Sequence, residues 1–326
     1  MGVEIMIFSN TINVVATKFT LLYKIILCIF ITLLVFTGIG VATIMPTLHN
    51  MMHELNHLHL IKSTLNYVSG LLHGMGADPE VTGYINLDQL LGKFHRAGEI
   101  VYDYSTQVTV SFVVVVLLFY LFCLSVSIQR YTTTSVVHTF MSCNGVDGFA
   151  SNLFRNLRKS IIFGLACTSF SILYYIVTLG MSVGLGILIT KANGYLGVLA
   201  TYLFIMLSLS SKRALFATWL PNAVVKDMRV MEAFKKSMRD LPKTFWENWG
   251  DFIFFYFVFT VIGVTSIILT MGLAAIIITA LGLLFLQVYE LVFYYHHNNL
   301  KFYIDNQRVI DPTKEYKDAV IEDEAL

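Results

Sequence analysis

A run of histidines follows the first long apolar stretch, in the segment HNMMHELNHLH at residues 49–59. His49, His53 and His57 are four residues apart, so a helix would place them on one face. Imidazole binds metals and also titrates near neutral pH. The stripe could therefore be a metal site, a pH-responsive face, or a face exposed to water or a partner. We favour the exposed face, because the histidines lie opposite the apolar side of that helix and a closed metal site needs three or four converging ligands.

Glu290 is the second group that could do chemistry, because it lies near the end of the last apolar run, close to Gln287. Ionisable groups inside a bilayer are costly and often functional. Glu290 and Gln287 therefore form a possible intramembrane polar site. We favour an ion pair between Glu290 and Arg130 or Arg213, and the alternative is a carboxylate that binds a transported ion.

Sequence motifs for enzymatic chemistry are missing. The chain contains no phosphate-binding loop, nucleophile elbow, HExxH pair or dinucleotide fingerprint. Its four cysteines fit no zinc or redox spacing. We therefore expect a non-enzymatic protein that needs no cofactor.

The composition indicates that lipid is the main solvent of the chain. Only 13% of the 326 residues are charged and 56% are hydrophobic, whereas soluble domains average about 25% charged residues. The net charge of +1 gives no reason to expect a nucleic-acid partner.

Four apolar stretches predict six spans, because a membrane-spanning helix needs about 20 mostly apolar residues. The predicted spans are 25–46, 107–128, two within 161–211 and two within 251–295. The two longer stretches must fold back, near Lys191 and Asn193 in one and near Thr270 in the other. The predicted fold is an all-α, polytopic membrane helical bundle with six transmembrane helices.

The distribution of basic residues predicts the orientation of these spans. Six spans place both termini on one side, and if that side is the cytoplasm its segments hold 18 of the 22 Lys and Arg residues. The positive-inside rule therefore favours an N-in, C-in orientation in a cell membrane, and we expect a bacterial inner or plasma membrane. The cytoplasmic segments are then 1–24, 129–160, 212–250 and 296–326, and the extracytoplasmic segment is 47–106.

The extracytoplasmic segment is predicted to form a helical hairpin. From Leu48 to Leu72 apolar residues recur at spacings of three and four, which predicts a first helix. Residues 73–80 contain two glycines and a proline and should break it. Asn86 can cap a second helix, whose apolar stripe is Leu87, Leu90, Leu91, Phe94 and Val101. We expect the hairpin to extend the bundle or to contact a protein partner.

The clearest cytoplasmic element is the stretch 221–241, where Pro221 suits a helix start. Apolar residues recur there at helical spacing, and basic residues fill much of the rest. A predicted lipid-interface set consists of Lys226, Arg229, Lys235, Lys236, Arg239, Trp246 and Trp249. Such a helix could lie on anionic headgroups or pack against the protein's own cytoplasmic segments, and the sequence does not decide between the two.

An internal repeat is indicated by two similar span ends, LSVSIQR at 124–130 and LSLSSKR at 207–213. Each is followed by a basic segment that leads into the next span, and a fainter version opens the chain at 7–19. The tail NLKFYIDNQRVIDP alternates partly in polarity and predicts short paired strands.

The stretch ATWLPNAVVKDMRVMEAFKKSMRDLPKTFWENWG at 217–250 resembles a signature of six-helix bacterial membrane proteins. Its parts are a proline at a span end (Pro221), a Val-Val pair (224–225), a Glu-Ala-apolar-basic-basic-Ser helix (232–237) and a Phe-Trp pair (245–246). The group is similar to the membrane domain fused to some glycerophosphodiester phosphodiesterases and to related uncharacterised inner-membrane proteins. The resemblance implies membrane architecture and not hydrolysis, since the chain shows no phosphodiesterase catalytic domain. Lys226-Asp227 and the long loop after the first span depart from the pattern.

These observations favour a non-enzymatic integral membrane protein that acts as a transport-associated or envelope accessory component, in effect a scaffold. One alternative is a small-molecule or lipid permease with a site between the repeats. Another is a membrane-bound sensor that uses the extracytoplasmic histidines. The expected partners are membrane lipids with anionic headgroups on the cytoplasmic face and a protein at the hairpin.

Overall fold

The structure, a computed structural model, describes residues 2–60, 62–66, 87–143, 145, 147–190, 194–272, 274–305 and 307–313. Three predicted features lie outside these residues: the break at 73–80, the cap at Asn86, and the turn at Lys191 and Asn193.

Helices make up nearly all of the described chain. They are α1 (Gly2–Thr17), α2 (Thr20–His57), α3 (Leu87–Asp103), α4 (Ser105–Cys143), α5 (Phe149–Arg155), α6 (Leu157–Thr190), α7 (Gly194–Phe216), α8 (Trp219–Val225), α9 (Val230–Thr270) and α10 (Ala275–His297). Strands β1 (Phe302–Tyr303) and β2 (Val309–Ile310) pair antiparallel, which confirms the paired strands predicted in the tail.

Six helical segments are long and apolar enough to cross a membrane. They are Thr20–Asn66, Ser105–Cys143, Leu157–Ile189, Leu196–Val225, Val230–Thr270 and Ala274–His297. The number agrees with the predicted all-α bundle of six apolar helices.

Several helices continue past the predicted ends of their spans. α4 has 39 residues and α9 has 41, so each is about 60 Å long, twice the roughly 30 Å hydrocarbon thickness of a bilayer. The segment after 128 was expected to be a loop, but it stays helical to Cys143 because it packs on the protein. Thr132, Thr133 and Thr134 are buried there, and Thr132 donates its hydroxyl hydrogen bond to the Ile128 carbonyl at 3.0 Å.

Pro46 does not end the first apolar helix as predicted, and α2 continues through it to His57. A proline removes one backbone donor. Within an apolar helix, neighbouring groups and local adjustment can tolerate this loss. The histidine segment is therefore a direct extension of the first apolar helix.

The predicted helix at 221–241 is two helices. α8 ends at Val225 and α9 begins at Val230. Asp227, in the break between them, has φ 51°, a left-handed conformation that a helix interior does not allow. Its carboxylate pairs with Lys159 at the surface, a contact that adds little to the stability of the turn.

The chain divides into two compact units, one of residues 1–32 and 123–326 and the other of residues 33–122. In the first unit α10 is the most buried apolar helix, and α1, α4, α8 and α9 contact it. α1 belongs to this core, since Phe8 packs against Phe255 and Phe285 with ring centroids about 6 Å apart.

In the second unit, two hydrogen bonds link segments that are distant in sequence. Lys93 of α3 donates to the Ser63 hydroxyl at 2.7 Å, and the Tyr104 hydroxyl donates to Glu54 of α2 at 2.7 Å. Leu90 is buried, but Leu91, Phe94 and Val101 of the predicted apolar stripe are each about half exposed.

Candidate functional site

The second half of α10 carries a series of buried polar side chains within an otherwise apolar helix. We call this set the polar belt: Gln287, Tyr289, Glu290, Tyr294, Tyr295 and His296, all of which are at most 9% exposed. A buried polar group must be hydrogen-bonded or it destabilises the fold. The belt therefore determines which helices can pack around α10.

Glu290 is at the centre of the belt and pairs with two arginines. The Arg213 Nε donates to Glu290 Oε1 at 2.6 Å, and an Arg130 terminal nitrogen donates to Oε2 at 2.5 Å. The Glu290 side chain is only 1% exposed. The predicted ion pair with an arginine is thus confirmed, and both candidate arginines form it rather than one.

The two arginines are the last residues of the similar motifs LSVSIQR and LSLSSKR. α4 supplies Arg130 and α7 supplies Arg213, so the two similar span ends meet at one carboxylate of a third helix. Arg130 and Arg213 side chains are 17% and 10% exposed, and a buried ion pair of this kind depends on close geometry.

The remaining belt residues contact different neighbouring helices. These contacts are Tyr295 hydroxyl to His138 Nδ1 of α4 (2.7 Å), Tyr294 hydroxyl to Asn222 of α8 (2.8 Å), His296 to Asn10 of α1 (3.3 Å) and Tyr289 hydroxyl to Asp251 of α9. Each packing neighbour thus makes a polar contact with α10 as well as apolar ones.

Sequence reasoning found Glu290, Gln287 and the two arginines but missed His138, Asn222, Asn10 and Asp251. These four residues lie in segments that were assigned to the cytoplasmic side or to a span boundary, where polar residues are unremarkable. Only the tertiary contacts with α10 distinguish them from ordinary polar residues.

Four buried polar atoms at the belt have no hydrogen-bond partner among the described residues. They are Gln287 Oε1, Arg130 Nε, Arg213 Nη2 and Asn222 Nδ2. An unpartnered buried donor or acceptor costs about 1–3 kcal/mol. The hydrogen-bonding groups of the belt are therefore not all paired around Glu290 and the two arginines.

The belt can lock helices together, but it is poorly arranged for ion transport. A transport carboxylate must exchange its partner with solvent, whereas both oxygens of Glu290 are engaged by guanidinium groups and shielded. Binding a cation there would require breaking at least one of these charge-assisted hydrogen bonds, which are the strong ones in proteins.

The histidine stripe lies along one side of α2. His49, His53 and His57 are all exposed, and the ring centroids of consecutive members are 6.3 Å and 4.5 Å apart. Within the described ranges, no group of three or more His, Cys, Asp or Glu side chains is arranged to hold a metal ion.

The predicted lipid-interface set is divided by the break between α8 and α9. Arg229, Lys235, Arg239 and Trp246 are exposed, whereas Lys236 and Trp249 are half-buried. The apolar side chains of the same stretch, Met228 and Phe234 among them, pack on a buried cluster around Trp219. That apolar side therefore contacts the protein itself.

Lys226 lies in the break and donates to Asn298 at 2.9 Å. Partial burial, and then repulsion by the nearby positive charge of Lys236, lower the pKa of Lys226 to about 8. An anionic group nearby would offset the repulsion between the two lysines.

No family model, curated protein or solved structure matches the chain. The resemblance to the membrane domain of glycerophosphodiester phosphodiesterases therefore stays a prediction, and the function must be argued from the site.

Proposed function

We propose that the protein is a non-enzymatic, multi-pass membrane protein that serves as a transport-associated or envelope accessory component, in effect a scaffold. The observation that carries this proposal is the engagement of both Glu290 oxygens by Arg130 and Arg213. The buried charges of the bundle are used to hold α4, α7 and α10 together, which suits a stable framework better than a moving ion path.

The proposed arrangement is N-in and C-in in a bacterial inner membrane, with the basic face of α9 toward anionic headgroups. The exposed cations Arg229, just before α9, and Lys235 and Arg239 on α9 support this contact. The convergence of the two repeated span ends on Glu290 supports an internal duplication.

The proposed partner surface is the exposed apolar side of α3, on the extracytoplasmic helical hairpin. Leu91, Phe94 and Val101 are 55%, 49% and 50% exposed there, beside polar neighbours such as His95 and Glu99. Apolar groups rimmed by polar ones are typical of protein interaction sites.

The test is affinity purification from the native membrane with mass spectrometry of the bound proteins. We expect a protein in fixed stoichiometry that is lost with L91S/F94S but retained with F154S, a control that changes a phenylalanine 72% exposed on α5. A monodisperse, partner-free protein would contradict the proposal. Solute uptake by liposomes containing only this protein, abolished by E290Q, would favour the permease instead.

A further inference from the structure

A groove lies between α9 and α10, next to the polar belt. It has a volume of about 270 Å³, and its walls include Phe259, Gly263 and Ile267 from α9 and Ile278, Gly282 and Leu286 from α10. From Ala275 to Leu286 it follows α10 for about 16 Å. These dimensions and this lining fit an extended hydrocarbon chain.

Two glycines keep the groove open. A Cβ atom on Gly263 would lie 3.9 Å from the Ile278 side chain, and one on Gly282 would lie 3.5 Å from the Phe259 ring. Both are ordinary contact distances, so the backbone would accept a side chain at either position. A longer side chain would extend into the groove and fill it.

Arg213 supplies a charged group at one end of the groove. It is among the lining residues, and it pairs with Glu290, which follows Leu286 by one helical turn. Its side chain is 90% buried, since 10% of it is exposed. Its Nη2 atom nevertheless has no hydrogen-bond partner among the described residues.

The local charge balance favours an anion at this end. Arg130 and Arg213 carry two positive formal charges against one negative charge on Glu290, which leaves one positive charge in excess. A guanidinium group has five N–H donors and binds phosphate oxygens well. Arg213 lines the groove, so turning its unused, buried donor toward this end would let it bind an anionic headgroup.

We propose that this groove binds an anionic membrane phospholipid, with one acyl chain between α9 and α10 and the phosphate paired with Arg213. A phospholipid fits better than a free solute because the residues beside the groove face lipid. Ile262, Ile268 and Ile277 are 46%, 73% and 51% exposed on helices apolar enough to cross a membrane. This lipid site requires only that the helices are surrounded by a membrane. It does not depend on the proposed accessory function of the protein.

The experiment is native mass spectrometry of the full chain in a neutral detergent, titrated with phosphatidylglycerol or with diacylglycerol of identical acyl chains, which lacks the phosphate. We expect phosphatidylglycerol to bind about tenfold more tightly, the ratio that one charge-assisted hydrogen bond gives. G263L, which fills the groove, and R213Q, which removes the charge, should both abolish this preference.

G180L is the matched control, because a Cβ atom on Gly180 meets nothing within 4 Å and Gly180 does not line the groove. It should keep the tenfold preference. R213Q also breaks a pair with Glu290, so G263L, which leaves that pair intact, decides the test if R213Q fails to fold.

Three outcomes would overturn the proposal. Equal affinity of the unaltered chain for the two lipids would show that the phosphate charge does not contribute to binding. If G263L still preferred phosphatidylglycerol, the preference would arise from the exposed cations of α9 and not from the groove. Displacement of phosphatidylglycerol by an equal concentration of palmitate would identify a fatty acid as the occupant.

Discussion

Glu290 is a single carboxylate between two buried guanidinium groups, so losing Glu290 and losing one of the arginines have different consequences. If Glu290 loses its charge, Arg130 and Arg213 both remain without an anion. If Arg130 is lost instead, Arg213 still neutralises Glu290. The cost of a buried substitution depends on which charges it leaves unpaired.

We therefore predict that E290Q destabilises the protein by about 3–5 kcal/mol, the usual cost of breaking a buried ion pair, and that R130Q costs less. The measurement is the free energy of unfolding in detergent, followed by tryptophan fluorescence. E247Q is the control, because the Glu247 side chain on α9 is 60% exposed. Equal stability of E290Q and E247Q would show that the cluster does not hold the bundle together.

At the scale of the elements, Trp219 connects α8 to α9 across the break between them. It is 1% exposed, and its indole Nε1 donates to the Val230 carbonyl, the first residue of α9, at 2.9 Å. The rings of Phe163 and Phe234 lie 5.2 Å and 5.0 Å from it. Trp219 therefore contributes both a hydrogen bond and a large packed surface.

The two contributions can be separated by substitution. W219F keeps an aromatic ring and should cost about 1 kcal/mol for the lost hydrogen bond, whereas W219A should cost about 3–5 kcal/mol for the cavity. W246A should change the free energy of unfolding by less than about 0.5 kcal/mol, since Trp246 is 70% exposed. Similar losses for W219A and W246A would contradict this role of Trp219.

The elements were predictable where the local pattern determines them. Apolar runs predicted six long helices, and partial alternation near Phe302 predicted the paired strands. The helix ends were not predictable, because the polar run at Thr132 to Ser135 looks like a loop, yet it is buried by helices that are distant in sequence. The break at Asp227 was also missed, because apolar residues keep helical spacing across it, from Val224 to Met228 and Met231.

The charged residues of the candidate site could be predicted from the sequence, but its neutral polar residues could not. Glu290 stands out in an apolar run, and a buried carboxylate requires a cation, which led to Arg130 and Arg213. Asn222 and His138 carry no such signal, because a neutral polar residue near a helix end is satisfied equally well by water. Only the positions of Tyr294 and Tyr295 on α10 give them partners.

At the scale of the whole molecule, the long helices present many apolar side chains outward. Leu173, Ile176, Leu188 and Leu269 are all more than 60% exposed. Exposure of this extent is incompatible with water as the surrounding solvent, and it fits lipid around the helices. The proposed orientation in that lipid rests on charge alone, because the predicted spans put 18 of the 22 basic residues on the side of the termini.

Cys143 offers a direct test of this orientation. It is exposed at the end of α4, whereas Cys28 and Cys123 are half-buried and Cys167 is buried within apolar helices. The N-in, C-in arrangement places Cys143 in the cytoplasm. A membrane-impermeant maleimide should therefore label it in inside-out vesicles and leave it unlabelled in intact right-side-out spheroplasts.

The matched variant is H57C in a C143S background, because His57 is exposed on α2 and the proposed topology puts a single membrane crossing between it and the N-terminus. It should show the opposite result, with labelling in spheroplasts and none in inside-out vesicles. If Cys143 is labelled from outside and H57C from inside, the orientation is reversed and the positive-inside argument fails. In the proposed topology α4 crosses the membrane between residues 57 and 143. Labelling of Cys143 and H57C from the same side would therefore contradict that topology.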